Sequence, residues 1–446
     1  MITYQDFLES SDKENFIIQS MDNYLASYEY AKLIEADKYY SGDNPTLAKM
    51  QAEFKTETGH DIELFAKIPV SSGIFKRLVT LQVNSLWYYG VQLDNGEKKK
   101  KLGKNFDKLA KDISTNAAIH KICYGFWNLD HIEMFTAREY LPLPDERTGA
   151  HMAGIRFWRI DEDKPWNVQL FEIDGWTEYK RTDGLLVTVE NKRPYKINIK
   201  RDAVSTTVLS GENYPSFPII PLYANSQREN ILTTPIKSKI DLYDAIMSSF
   251  GNSVLTTRSI YWILKNFSGK VEDLIAIKDE IGKLGIIAPN DDSDVDAKTI
   301  DLPFNAVMEF LDYLEQSVYK DAMIMNEKEI SGGSLTNVAI NTAQYSETLN
   351  VSDFEWQVSD FVDRLLNLIS LQNDSIIFKR KTISNDLEIT QRTIMLSPYL
   401  DEQTILELDP LIANELIKTI LKRKALEDLG ANDDTGDEPA DGDVNA

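Results

Sequence analysis

Residue types that carry chemistry are present in this sequence, but their spacing does not match the motifs that use them. A phosphate-binding loop needs a glycine-rich turn followed by Lys and then Ser or Thr, so that backbone amides and the lysine hold the phosphates. The three Gly-Lys pairs of the chain are followed instead by Asn105, Val271 and Leu284. The sequence therefore carries no motif for nucleotide hydrolysis, and a motor role would require another protein to hydrolyse ATP.

Metal-binding and nucleophile motifs are equally incomplete. The four histidines lack the spacing of a zinc protease helix, and no Gly-x-Ser-x-Gly elbow occurs. The alternating acids at 292–296 could begin a calcium loop, but Ala297 stands where glycine should turn the chain and Pro303 where the last glutamate should bind. We interpret this segment as a solvated acidic loop. The sequence predicts no enzyme, cofactor or metal site.

Composition describes a folded, acidic protein. The 446 residues exceed what one hydrophobic core usually serves, so we expect two or more domains. The 48 basic and 71 acidic residues give a net charge of −23, which opposes tight, nonspecific binding to a phosphate backbone. A surface along which DNA slides without sticking is consistent with this charge. No stretch is apolar enough to span a membrane and the acidic N-terminus lacks a signal peptide, so we expect the protein to stay in the cell that makes it.

Hydrophobic periodicity predicts helices, then strands, in the first half of the chain. The predicted helices cover 14–40, 71–88 and a segment from Leu102 to Cys123 that breaks near Gly125. A meandering antiparallel sheet follows, with short segments rich in Val, Ile, Tyr, Phe and Trp between turns at 145–149, 174–175 and 183–184. Its predicted strands are 131–141, 153–160, 168–173, 176–181, 184–190 and 194–200.

The second half is predicted to be mostly helical. After a proline-rich extended connector at 214–221, Thr234 and Pro235 begin a long helix. A β-α-β excursion is predicted over 259–303, and a second long helix with the stripe Val307, Leu311, Leu314 and Val318 returns from it. A flexible Gly-Gly loop precedes another helix over about 338–371. The acidic segment after 427 is expected to be disordered.

This order of elements, taken with several short motifs, resembles the portal proteins of tailed bacteriophages, of the type found in long-tailed phages of Gram-positive hosts. The resemblance covers most of the chain, although each motif alone is weak. Positions where family members often carry Ser-Gly are Thr336-Asn337 here. The motifs are Tyr39-Tyr40-Ser41-Gly42-Asp43, Ser72-Gly73-Ile74 to Tyr89-Gly90, His120 to Trp127, Glu172 to Trp176, the proline-spaced Phe217 to Asn225, and Pro235 to Asp244 with its Ile-Asp-x-Tyr core.

The resemblance implies an α+β, mainly helical portal fold with an antiparallel sheet in the wing, in a subunit that forms rings, usually dodecamers. The expected divisions are a wing at 1–235, stem helices at 236–258 and 304–325, a clip at 259–303 and a tunnel loop at 326–340. A tunnel helix and wing return at 341–395, a crown at 396–430 and a disordered tail at 431–446 complete the chain.

The implied function is a channel at one capsid vertex for DNA packaging and ejection. The implied partners are the other subunits of the ring, a terminase motor, head completion or adaptor proteins, scaffolding and major capsid proteins, and the double-stranded DNA that passes through. The protein is then expected in the virion after assembly in the host cytoplasm, without a membrane partner. The alternatives are a soluble carboxylate-dependent hydrolase and another ring-forming head–tail connector.

Acidic side chains that face the bore would repel DNA phosphates and keep the affinity for DNA low. A flexible loop between two long helices could contact the DNA directly. The channel-lining candidates are Glu309, Asp312, Glu315, Asp321, Glu347, Asp353 and Glu355, and the tunnel-loop candidates are Ser331, Gly332, Gly333, Ser334, Thr336 and Asn337.

Overall fold

A computed structural model describes residues 2–50, 68–93, 96–201, 206–256, 260–265, 294–299, 304–326, 328, 336–371, 376–380, 386–408, 417 and 419–424. The chain divides into two compact units. The first comprises Met1–Ile324 and Glu347–Arg380, and the second comprises Met325–Ser346 and Lys381–Ala446.

The elements of the chain are named here in sequence order. The helices are α1 (Tyr4–Glu9), α2 (Lys13–Leu25), α3 (Tyr28–Ser41), α4 (Ile74–Trp87), α5 (Gly96–Lys101), α6 (Phe106–His120), α7 (Thr234–Thr256), α8 (Phe304–Asp321), α9 (Asn337–Leu368), α10 (Asp386–Leu396) and α11 (Glu402–Leu408). The strands are β1 (Val91–Leu93), β2 (Ile122–Asn128), β3 (His131–Thr136), β4 (Tyr140–Pro144), β5 (His151–Trp158), β6 (Trp166–Glu172), β7 (Gly175–Thr182), β8 (Leu185–Arg193), β9 (Lys196–Arg201), β10 (Thr206–Glu212), β11 (Ile219–Tyr223), β12 (Ile260–Lys265), β13 (Asp294–Thr299) and β14 (Ile376–Phe378).

The predicted meander is a five-stranded antiparallel sheet in the order β4-β5-β6-β7-β8. Its turns are those that the sequence indicates. Asp183 and Gly184 both have positive φ, as a two-residue hairpin turn requires. One face of the sheet packs on α1 and α2, where Phe7, Ile17 and Met21 meet Ile155 and other apolar side chains. The prediction of an antiparallel sheet within a mixed fold is confirmed.

A second sheet, in the order β11-β2-β3, lies inside the main hydrophobic core of the first unit. β2 is central, and five of its seven residues are buried in succession. Such a continuous apolar run is typical of a strand covered on both faces. A Cβ on Gly125 would lie 2.6 Å from the Phe361 ring of α9, so the glycine permits this close packing.

Three of the predicted elements have the wrong boundaries. The helix predicted over 14–40 is two helices, because Ser27 Oγ accepts a hydrogen bond from Tyr30 N at 3.1 Å and starts α3 anew. The helix predicted to reach Cys123 ends at His120, because Lys121 takes a left-handed conformation with φ 67°. The strand predicted over 131–141 is two strands, β3 and β4.

The remaining predictions concern the connector and the β-α-β excursion. Residues 219–221 of the predicted connector belong to β11, which pairs with β2. Of the excursion, β12 and β13 are described and pair antiparallel. Asp294 to Asp296 lie in β13, so this part of the predicted acidic loop is a strand. The predicted helix at 271–284 and strand at 285–288 lie outside the described residues.

Candidate channel surface and its support

The first half of α7 carries a buried carboxylate that fixes the helix to the rest of the first unit. Asp244 has no exposed surface, and its oxygens accept hydrogen bonds from Asn44 Nδ2 at 2.8 Å and from the backbone N of Ser72 at 2.8 Å. Ser71 Oγ also donates to it, at 3.4 Å. Burial raises the pKa of Asp244 above its ordinary value, although these donors act in the opposite direction.

Asp241 lies one turn earlier on the same face and completes what we term the α7 anchor, Asp241 and Asp244 with their donors. The Tyr39 hydroxyl, Thr46 Oγ1 at 3.2 Å and Lys237 Nζ at 2.9 Å all donate to Asp241. Burial, together with the hydrogen bond to Asp241, raises the pKa of Tyr39 to about 12. The anchor therefore joins α7 to the end of α3, to the segment after it and to the start of α4.

α7 and α8 pack side by side and antiparallel. Near the start of α7, Lys239 Nζ lies 2.6 Å from Asp321 of α8 and also donates to Ser317 Oγ at 2.7 Å. Towards the other end, the rings of Phe250 and Phe304 are 5.6 Å apart. The apolar stripe predicted for α8 is its buried face, since Leu311, Leu314 and Val318 are each at most 5% exposed.

The four channel-lining candidates on α8 differ in their surroundings. Asp321 is the partner of Lys239, and Asp312 accepts a hydrogen bond from Gln316 Nε2 at 3.1 Å. Glu315 is buried, with its carboxylate 3.0 Å from Arg77 of α4. Glu309 is exposed to solvent. Of these four carboxylates, Glu309 and Asp321 have the exposure that a charge on a channel wall requires, and Asp321 is already bound by Lys239.

The three candidates on α9 bind side chains or backbone of the first unit. Glu347 accepts a hydrogen bond from Ser85 Oγ at 2.7 Å, and Asp353 accepts one from the backbone N of Ser226 at 3.1 Å. Glu355 accepts one from Arg380 Nε at 2.9 Å. Each therefore holds α9 against a neighbouring segment of its own subunit.

α8 also carries exposed apolar side chains. Four large side chains of this helix are between 44% and 65% exposed: Phe304, Met308, Phe310 and Tyr313. α7 contributes Leu242 and Val254, which are also exposed. The rings of Phe310 and Tyr313 stack with their centres 6.4 Å apart, and an exposed apolar cluster of this kind marks an interaction surface. The α7–α8 pair thus has one face bound to its own subunit and another available to a partner.

Two of the six tunnel-loop candidates lie among the described residues, in the second unit. Thr336 caps α9, because its carbonyl oxygen accepts from Ile340 N at 3.1 Å and its hydroxyl from Ala339 N at 3.4 Å. The backbone N of Asn337 donates to Glu388 at 2.7 Å. α9 thus begins inside the range 326–340 expected for the loop. Ser331, Gly332, Gly333 and Ser334 lie outside the described residues.

Among the described residues, no group of three or more His, Cys, Asp or Glu side chains could hold a metal ion. No helix among the described residues is long and apolar enough to cross a membrane.

The α7 anchor was not predicted as a site, although its residues fall within the Ile-Asp-x-Tyr motif. The available signal is that Asp241 and Asp244 adjoin the apolar residues Ile236, Ile240 and Tyr243 on one helix. An acid within an apolar stripe is expected to have a buried partner. The donors lie far away in sequence, at positions 39–46 and 71–72, so the sequence does not identify them.

The sequence profile of the family described as phage portal protein, SPP1 Gp6-like, matches residues 24–428. The chain belongs to this family. Among curated proteins, it is 24% identical over 235 residues to the portal protein of Clostridium phage phiCD119, in an alignment that covers 50% of this chain and 51% of that protein. It is 26% identical over 192 residues to the portal protein of Bacillus phage SPP1, covering 40% of this chain and 37% of that protein. The chain thus spans about half, or less, of the length of these relatives.

Matches among solved structures include chains of a gene transfer agent. One is the virion of the native particle, with a TM-score of 0.39 and 9% identity over 87% of this chain and 97% of that one. Another is the neck of the native particle computed with C12 symmetry, with a TM-score of 0.38 and 11% identity over 78% of this chain and 97% of that one.

Proposed function

We propose that this chain is one subunit of a ring that forms the DNA channel at one vertex of a phage head. The resemblance to portal proteins implies about twelve subunits in the ring. The observation that carries the proposal is the α7–α8 pair. The pair is fixed to its own subunit by the α7 anchor and by Arg77–Glu315, yet it keeps four large apolar side chains of α8 exposed. Membership of the portal family supports the same conclusion.

Ring closure explains the exposed apolar surface. A helix whose second apolar face has no cover in the isolated subunit gains stability when a neighbour buries it. In a closed ring every subunit offers one such face and receives another, so no apolar edge is left over. We assign Phe304, Met308, Phe310 and Tyr313 to this contact between neighbouring stem helices.

The channel conducts DNA and catalyses no reaction in this proposal. Glu309, exposed on α8, recurs once in every subunit and forms a ring of negative charge. Such a ring repels phosphates and keeps DNA free to slide. Asp312 and Asp321 add to the negative potential of the same helix while holding their intrachain partners. Glu315 acts instead within the subunit, through Arg77.

The remaining parts of the function follow from the resemblance to the family. We assign β12 and β13 with their connecting segment to the clip, where a terminase motor would dock during packaging and head completion proteins afterwards. Scaffolding and major capsid proteins would surround the wing. The segment from Ser331 to Asn337 would contact the passing DNA as a tunnel loop. The protein would be assembled in the host cytoplasm and would remain in the virion.

The test of ring formation is the mass of the purified protein in solution, with negative-stain images of the same fraction. We expect rings of about twelve subunits with a central hole. The double variant Phe310→Ser and Tyr313→Ser should remain monomeric at concentrations where the unaltered protein assembles. Exposed Ile160 and Leu185 provide a matched control, because both lie away from the stem and their Ser variants should still form rings. A protein that stays monomeric at every concentration would refute the proposal.

A further inference from the structure

A groove of about 1090 Å³ opens on the first unit between α3, the segment 227–233 and the start of α7. It is larger than a single inorganic anion needs, since drug-sized ligands occupy pockets of roughly 300–1,000 Å³. The size suits an extended stretch of polypeptide.

The groove is positively charged in a protein whose net charge is −23. Six cations and three carboxylates line it: Lys32, Lys38, Lys49, Lys121, Arg228 and Lys237, with Glu29, Glu35 and Glu229. Lys121 pairs with Glu29, and Lys237 with Glu35 and Asp241. Among the described residues, Lys32, Lys38, Lys49 and Arg228 form no ion pair, and all four are exposed. The groove therefore offers several unneutralised cations to a ligand.

The cations are held by the fold. The guanidinium of Arg228 lies 4.5 Å from the centre of the Tyr223 ring, and the residue takes a left-handed backbone conformation with φ 59°. The Asn225 side chain maintains this turn, since it accepts from Glu229 N at 3.0 Å and donates to Glu229 O at 2.9 Å. Lys32 Nζ lies 4.6 Å from the centre of the Tyr28 ring. Arg228 and Lys32 are thus directed by aromatic neighbours.

Two further features of the groove favour an acidic ligand. The first residues of α7, Thr234 and Pro235, line it, and the positive end of the dipole of this 23-residue helix attracts negative charge. His120, which is 2% exposed, also lines it. Its Nε2 lies 2.7 Å from Asp37, while its Nδ1 has no hydrogen-bond partner among the described residues. A buried nitrogen of this kind is a vacant position for a polar partner.

The chain itself contains a segment with the required chemistry. Residues 427–446 include eight Asp and Glu and no Lys or Arg. All but its first two residues lie beyond the part of the chain that matches the portal family. A fully extended chain of twenty residues would span roughly 65–70 Å.

We propose that the acidic C-terminal segment of one copy of this chain binds in the groove of a second copy. The inference rests on the ring of the proposed function, which brings copies together. The carboxylates would pair with Lys32, Lys38, Lys49 and Arg228 beside the first turn of α7, and so stabilise the start of the stem helix in the neighbour. The segment would act as a strap between subunits that is independent of the apolar contact on α8.

Disulfide cross-linking in mixed rings of full-length protein tests this proposal. Copies with Glu438→Cys are assembled with copies with Gln227→Cys, at an exposed residue that lines the groove. The native Cys123 is buried, which raises the pKa of its thiol and keeps it unreactive. We expect covalent dimers under mild oxidation. Copies with Ile160→Cys, which is 88% exposed and does not line the groove, should give at least fivefold fewer dimers.

A charge test is made in the Gln227→Cys copy by adding Lys32→Glu and Arg228→Glu. We expect the dimer yield to fall at least fivefold, and the yield of the unaltered groove to fall likewise in high salt. Rings with no dimers, or with equal yields for Gln227→Cys and Ile160→Cys, would overturn the proposal. So would a chain that carries both Glu438→Cys and Gln227→Cys and forms the disulfide only within itself. Failure to form rings at all would count against the proposed function instead, and ring mass measures that separately.

Discussion

The side chain of Asp244 accepts a hydrogen bond from the backbone N of Ser72 at 2.8 Å, which joins the middle of α7 to the segment that leads into α4. Because Asp244 is fully buried, loss of its carboxylate leaves the Ser72 N–H and the Asn44 amide without their acceptor. We expect Asp244→Ala to lower the free energy of unfolding by about 2–4 kcal/mol in urea titrations. The matched control is Asp360→Ala, since Asp360 is about half exposed and pairs with Arg364 of its own helix. Its cost should be below about 0.5 kcal/mol, and equal costs would contradict the role of the anchor.

Gly125 provides a prediction about the core. A Cβ there would lie 2.6 Å from the Phe361 ring and 2.8 Å from Ile132. We expect Gly125→Ala to lower the free energy of unfolding by about 1–3 kcal/mol, because β2 and α9 must separate to admit the methyl group. Gly73→Ala meets no atom within 4 Å and should change stability little. Thermal or urea unfolding of both variants distinguishes the two sites. A Gly125→Ala protein as stable as Gly73→Ala would show that this packing is looser than described.

His151 makes the stability of the first unit depend on pH. Its Nε2 lies 2.7 Å from the Tyr140 hydroxyl and its Nδ1 lies 3.1 Å from Ile219 O, and burial lowers its pKa to about 3. Below pH about 6.5 the unfolded chain takes up a proton that the folded chain does not. The stabilisation from His151 is therefore complete above pH 6.5 and is lost as the pH falls towards 3.

His151→Gln removes this titration and serves as the comparison. We expect the unaltered protein to lose about 1–2 kcal/mol relative to His151→Gln when urea unfolding at pH 7 is repeated at pH 5. Both proteins share the remaining titrating groups, so the difference between their free energies of unfolding removes the contribution of those groups. A difference that does not change with pH would indicate that His151 can be protonated in the folded state.

The Arg77–Glu315 pair is expected to contribute more than a surface ion pair. The Glu315 side chain is 10% exposed and its carboxylate lies 3.0 Å from Arg77. A double-mutant cycle with Arg77→Ala and Glu315→Ala should give a coupling energy of about 1–2 kcal/mol. Arg364 and Asp360 form the control, since they lie 2.9 Å apart and are more than half exposed, and their coupling should stay below about 0.5 kcal/mol. Equal couplings would contradict the prediction.

Glu309→Lys tests the charge of the channel wall. Each subunit would lose one negative and gain one positive charge where DNA passes, so DNA should be held more tightly and move more slowly. We expect the affinity of assembled rings for a short duplex at low salt to rise at least tenfold. Glu162→Lys makes the same change of charge at an exposed residue of the β5–β6 turn and should alter the affinity less than twofold. Similar effects of the two substitutions would show that net charge alone is responsible.

The sequence predicted the architecture well where one periodic pattern extended over many residues. The buried stripe of α8 and the turn at Asp183-Gly184 were both identified, because helical spacing and turn chemistry are local signals. The element boundaries at Ser27 and Lys121 were not predicted, because each depends on one residue and not on a repeated pattern. A single cap or a single left-handed residue ends an element within an apolar pattern that continues across it.

The candidate site was less predictable, because exposure is a property of the packed subunit. Glu309 and Glu315 lie on the same helix, and the sequence alone does not distinguish which of the two carboxylates is exposed. The structure exposes one and buries the other against Arg77, which comes from an element more than 200 positions earlier. Likewise, the partners of Asp241 are Tyr39 and Thr46, and no local pattern connects them.

The arrangement of the α7 anchor has a mechanical consequence. Its two carboxylates receive donors from three separate segments of the chain, so a slide of α7 along its axis by one residue, about 1.5 Å, would break all of these bonds together. The apolar contacts of the same helix would tolerate that shift far better, because they have no fixed direction. These hydrogen bonds therefore fix the axial position of α7. A load applied along the helix is transmitted through them to the body of the subunit.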